Sequence, residues 1–132
     1  MADSFDFELV SPERRLAAMP ARSVQIPGAE GDLTAMPLHA PLITTLRPGL
    51  LTVEGADGEK RFVVTGGFAE IGPDTASVLA ERAMPVEEAD AATFDALIAE
   101  ARKAAEDAPE DGRDAANKLV ADMQSLRTAV GV

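Results

Sequence analysis

Apolar positions follow two different periods along this chain. Near the start, Phe5, Phe7 and Leu9 alternate with Asp6 and Glu8, the period-two signature of a strand with one face buried. Comparable short runs predict strands at 23–26, 35–36, 43–46, 50–53, 61–65, 68–71 and 76–80. They are separated by the turn-forming sequences Pro27-Gly28, Pro48-Gly49, Asp57-Gly58 and Gly72-Pro73-Asp74. Many short strands at such spacing imply an antiparallel sandwich or barrel. The expected core is Phe5, Phe7, Val24, Ile26, Leu46, Leu50, Val53, Phe62, Val64, Phe68, Ile71, Val78 and Leu79. Gly66-Gly67, in the middle of a strand pattern, predicts a bulge or a close approach of backbone between sheets.

Beyond Pro85 the period changes to three and four. Ala89, Ala92, Phe94, Leu97, Ile98, Ala101 and Ala105 trace one face of a helix. Ala108-Pro109-Glu110-Asp111-Gly112 breaks it. A second stripe runs through Ala116, Leu119, Val120, Met123, Leu126 and Val130. The short connection makes the two helices an antiparallel hairpin. Composition follows the same division: 8 of the 10 glycines lie before residue 85, and 13 of the 25 alanines lie after it. The sequence therefore predicts a β-sandwich over 1–84 and a helical hairpin over 85–132, with the boundary at Met84-Pro85, where proline suits a helix start.

Charge and residue usage then exclude functions. A formal charge of −11 disfavours nucleic acid and direct binding to anionic lipid headgroups. No run approaches the roughly 20 apolar residues of a membrane span, and acidic Met1-Ala2-Asp3 is unlike a signal peptide. Absence of cysteine agrees with a reducing compartment and removes thiolate metal ligands. His39 is the only histidine, so no second imidazole can share a metal with it, and catalytic candidates are few. No catalytic, cofactor or metal site is expected.

The most constrained stretch is Pro27-Gly28-Ala29-Glu30-Gly31-Asp32-Leu33-Thr34-Ala35-Met36-Pro37-Leu38-His39-Ala40-Pro41-Leu42, closed by Leu46-Arg47-Pro48-Gly49. Each Pro-Gly pair can supply the fixed φ and the following positive φ of a type II turn. Pro37 and Pro41 remove backbone donors and push Met36 and Ala40 toward extended conformations. The stretch reads as strand, turn, rigid loop, strand. It resembles the ε subunit of rotary F-type ATP synthases, in which PG-x-EG, P-x-HAP and L-x-PG follow in this order. Thr34 and Leu38 stand where many relatives carry glycine. Phe62-Val63-Val64-Thr65-Gly66-Gly67-Phe68-Ala69-Glu70-Ile71 is similar to the family's strand, double glycine and following strand.

The resemblance implies a flattened β-sandwich ahead of the helical hairpin. It also implies a non-catalytic central-stalk subunit that clamps the γ subunit and rests on the polar loops of the membrane c-ring, peripheral to the cytoplasmic face of a bacterial inner membrane. By motif position it implies that Glu30, Gly31 and Asp32 face the c-ring, and that His39, Ala40, Pro41 and Leu42 lie close to γ and the ring. A free-standing adaptor or ligand-binding sandwich is the alternative reading. Some relatives bind ATP through [IL]-D-x-x-R-A. Here Asp90-Ala91-Ala92-Thr93-Phe94 has threonine for the arginine and phenylalanine for the alanine, so ATP binding is not expected. Relatives that inhibit hydrolysis present basic residues on the second helix to the acidic α and β subunits. Here 110–132 carries Glu110, Asp111, Asp114 and Asp122 against Arg113, Lys118 and Arg127, so contact with α and β is expected to be transient and inhibition weak.

Overall fold

The computed structural model describes residues 4–132, so Met1-Ala2-Asp3 lies outside the described residues. The chain divides into two compact units, Met1–Pro85 and Val86–Val132.

The described residues of the first unit form ten strands: β1 (Phe5–Val10), β2 (Arg15–Ala21), β3 (Ser23–Gly28), β4 (Gly31–Ala35), β5 (Leu42–Thr45), β6 (Gly49–Gly55), β7 (Gly58–Val64), β8 (Gly67–Ile71), β9 (Thr75–Ala80) and β10 (Ala83–Pro85). They form two five-stranded sheets, ordered β2-β1-β9-β8-β5 and β10-β7-β6-β3-β4. All pairings are antiparallel except β1 with β9, which run parallel. Between the sheets lies one apolar cluster in which Phe7, Leu9, Val24, Ile26, Leu51, Val53, Val64, Ile71 and Val78 are no more than 1% exposed. Burial of this size stabilises a sandwich by roughly 1.5–3 kcal/mol per large side chain before chain entropy is subtracted. A fragment ending at Pro85 is therefore expected to melt as one cooperative unit on heating, followed by circular dichroism. A broad, non-cooperative transition would show that it depends on residues 86–132.

Three expected core residues are placed differently. Phe68 and Leu79 are 41% and 45% exposed, and Leu50 is half-buried while Leu51 is fully buried. Side chains two apart share a strand face, and those an odd number apart oppose each other. Since Ile71, Val78 and Val53 point inward, Phe68, Leu79 and Leu50 point away. Strand β2 is not signalled by its sequence, Arg-Leu-Ala-Ala-Met-Pro-Ala, because alanine disfavours strands. It forms as an edge strand against β1, where Pro20 is tolerated because only one side needs hydrogen bonds.

The glycines also act differently from the expectation. Neither Gly28 nor Gly49 has a positive φ; each ends or begins a strand, and each is needed for space. A Cβ on Gly28 would lie 2.7 Å from the Gly31 carbonyl oxygen, and one on Gly49 would lie 2.5 Å from Pro27 Cβ. The turn geometry expected of Pro-Gly instead occurs at Pro37-Leu38, where Leu38 has φ 69° and the His39 amide donates to the Met36 carbonyl at 3.2 Å. Gly67, with φ 105°, approaches β9 of its own sheet, not the opposite sheet.

In the second unit, helix α1 (Ala91–Asp107) and helix α2 (Arg113–Val130) pack on each other. α1 buries Phe94, Leu97, Ile98, Ala101 and Ala105; α2 buries Met123 and Leu126. Asp90 caps α1. Its carboxylate accepts from the Thr93 amide at 2.9 Å and the Thr93 hydroxyl at 2.8 Å, and these hydrogen bonds hold its pKa below the ordinary aspartate value. The segment compared above with an ATP motif thus supplies a helix cap and, in fully buried Phe94, a core residue.

Candidate functional site

Strand β4 forms one edge of its sheet and β5 one edge of the other, and the two are joined by the Met36–Pro41 loop. Between these edges lies a groove lined by Glu30, Gly31, Asp32 and Leu33 on one side and Leu42, Ile43, Thr44 and Thr45 on the other. Four of the seven residues expected at an interface, Glu30, Gly31, Asp32 and Leu42, are thus brought together. His39, Ala40 and Pro41 are in the connecting loop and do not line the groove. The His39 ring is turned to its own neighbour, with Nδ1 2.5 Å from the Ala40 carbonyl oxygen.

The turn between β3 and β4 is stitched to the β5–β6 connection. The Ala29 amide donates to the Thr45 carbonyl at 2.8 Å, and the Arg47 amide donates to the Pro27 carbonyl at 3.0 Å. The Arg47 side chain donates from Nη1 to the Gly28 carbonyl and from Nη2 to the Asp32 carboxylate. Glu30 has no ion-pair partner among the described residues.

The connecting loop and the start of β5 are unusually apolar for an exposed segment. Met36, Leu38, Leu42 and Ile43 are 54%, 71%, 41% and 68% exposed. Leu38 is moreover held in a left-handed conformation that disfavours leucine by about 1 kcal/mol or more.

The second apolar surface continues from Ile43 across the outer face of the sheet. Register aligns Val10 on β1 with Leu79 on β9, and Leu79 with Phe68 on β8. Phe68 pairs in turn with Thr45 on β5, which places Ile43 on its diagonal. Glu8 and Glu70 flank this row on the same face. Exposed apolar residues scattered singly need no explanation, whereas a contiguous row marks a docking surface. The expectation that hydrophobic strand residues point inward conceals Phe68 and Leu79 in the sequence. Among the described residues, no three His, Asp or Glu side chains converge as a metal site would require.

Residues 4–86 match the family model described as ATP synthase, Delta/Epsilon chain, beta-sandwich domain. The chain is 56% identical to the ATP synthase epsilon chain of Ruegeria sp. (strain TM1040), with 97% of each chain covered. It is 51% identical to that of Rhodobacter capsulatus, with both chains covered in full. Among solved structures, it is similar to a chain of the Euglena gracilis mitochondrial ATP synthase, with a TM-score of 0.75 at 23% identity, covering 98% of this chain and 83% of that one. A chain from the central stalk and c-ring of the Tetrahymena thermophila enzyme gives 0.69 at 18% identity, with 96% of each covered.

Proposed function

The chain belongs to the ATP synthase Delta/Epsilon family, as an epsilon chain and a non-catalytic part of that enzyme, and we propose that it works as a rotor subunit that joins γ to the c-ring and couples proton flow to ATP synthesis. Glu30, Gly31 and Asp32 face the ring loops, and His39, Ala40, Pro41 and Leu42 lie beside γ and the ring. The outer-face row Val10, Leu79, Phe68 and Ile43 seats γ. The subunit is peripheral, on the cytoplasmic face of a bacterial inner membrane.

The observation that carries this reading is the continuity of exposed apolar surface from Ile43 on β5 onto Phe68 and Leu79, which a free-standing domain would bury or lack. Rigidity serves torque transmission. Pro27, Pro37, Pro41 and Pro48 fix φ at four positions around the groove, so little chain entropy is lost when partners bind. The test is capture of the tagged chain from detergent-solubilised membranes. Recovery of α, β, γ and c subunits supports the reading, and recovery without γ and c overturns it.

The helical hairpin inhibits ATP hydrolysis only weakly. From Glu110 to Val132 four acidic residues outnumber three basic ones, and Lys118 and Arg127 are already paired with Asp122 and Asp95. Helix α2 spans 18 residues, about 27 Å at 1.5 Å per residue. Charge complementarity therefore gives no drive toward acidic catalytic subunits, and deleting residues 86–132 is expected to change hydrolysis by the isolated enzyme less than about twofold. A many-fold activation would contradict this.

A further inference from the structure

The turn from Gly28 to Asp32 carries two carboxylates in three residues, and the fold treats them differently. Asp32 and the Gly28 carbonyl sit at opposite ends of this turn and meet the same guanidinium, that of Arg47, 15 residues from Asp32 in sequence. Arg47 is itself anchored, because its amide is bonded to the Pro27 carbonyl and its side chain is only 28% exposed. Glu30, at the tip, has no such partner among the described residues.

We propose that Arg47 is the positioning residue of this turn: by bridging the Gly28 carbonyl and the Asp32 carboxylate it fixes the turn's shape, neutralises Asp32 and leaves Glu30 as the turn's single uncompensated charge. This rests on the reading of the turn as ring-facing, and it divides the labour within it. Glu30 offers charge to the partner, while Asp32 is committed internally. The planar fork of arginine spans both acceptors at once, whereas lysine supplies one point charge and can satisfy one acceptor well. Losing Arg47 has two consequences. The turn loses its brace to the β5–β6 connection, and Asp32 becomes a second negative charge beside Glu30, changing the field a partner meets.

Two measurements test this on the full chain and on the enzyme reassembled with it. In the isolated chain, Arg47→Gln should speed hydrogen exchange at the Ala29 amide by about tenfold or more relative to Thr65, since the Ala29–Thr45 bond lies in the braced turn. In the reassembled enzyme, Arg47→Gln should lower proton-driven ATP synthesis to the level of Glu30→Gln. The Arg47→Gln/Glu30→Gln combination should fall no lower than either alone, because Arg47 acts through Glu30. Arg47→Lys should recover part of both effects, and it serves in place of Arg47→Gln should that variant not fold. Unchanged exchange at Ala29, or losses that add in the combination, would overturn the proposal. Full synthesis with Glu30→Gln would instead overturn the ring-facing reading, while the exchange result would still decide whether Arg47 braces the turn.

Discussion

Replacing Gly67 by alanine is expected to destabilise the sandwich by about 3 kcal/mol or more, lowering its melting temperature by more than about 10 °C. Two independent penalties coincide there. The backbone sits at φ 105°, outside what L side chains readily adopt. A Cβ would also lie 2.0 Å from the Leu79 carbonyl oxygen and 2.8 Å from Ala80 Cα. Those are backbone atoms of the neighbouring strand and cannot rotate aside, so β8 would have to separate from β9. Gly58→Ala is the control. It has φ 116° and no atom within 4 Å of the added Cβ, so it carries the conformational penalty alone, about 1 kcal/mol. Thermal melts of both variants followed by circular dichroism measure the difference, and equal melting temperatures would show that β9 yields at no cost.

That double glycine illustrates how far the sequence can be read. Its place in a strand pattern points to close backbone approach, but the partner is set by pairing in space, which no local pattern reveals. The architecture is legible because it rests on periodicity: two at Phe5, Phe7 and Leu9, three and four at Phe94, Leu97, Ile98 and Ala101. The misplaced core residues share one cause. Hydrophobicity alone puts them inside where alternation should decide, since Phe68 with Ile71, Val78 with Leu79 and Leu50 with Val53 are odd-numbered separations and cannot all face inward. Strand β2 is invisible for a different reason: its alanines gain strand conformation only from β1 beside it. At the candidate site, the motif locates Glu30, Asp32 and Leu42, and the fold joins them in one groove. Arg47 carries no advance signal, because its two acceptors meet only after β3, β4 and β5 have assembled.

The largest functional effect is expected from the outer-face row. Phe68→Glu together with Leu79→Glu should weaken binding of the chain to enzyme stripped of this subunit by about 100-fold or more, since each of two apolar anchors at the centre of an interface is worth about 2 kcal/mol or more. Folding should survive, because both side chains are already 41% and 45% exposed and exposed substitutions usually change stability by about 0.5 kcal/mol or less. The new carboxylates would join Glu8 and Glu70 on the same face, placing two charges at the centre of the apolar row, which a γ surface built for it would reject. Lys60→Gln with Arg61→Gln lowers the net charge by the same two units at exposed positions of β7 in the other sheet and should leave affinity within about twofold, apart from small long-range effects. Titration of labelled chain against the stripped enzyme gives both affinities. Equal weakening by the two pairs would mean that net charge controls assembly, and unchanged affinity of the chain carrying Phe68→Glu and Leu79→Glu would remove this face from the γ contact.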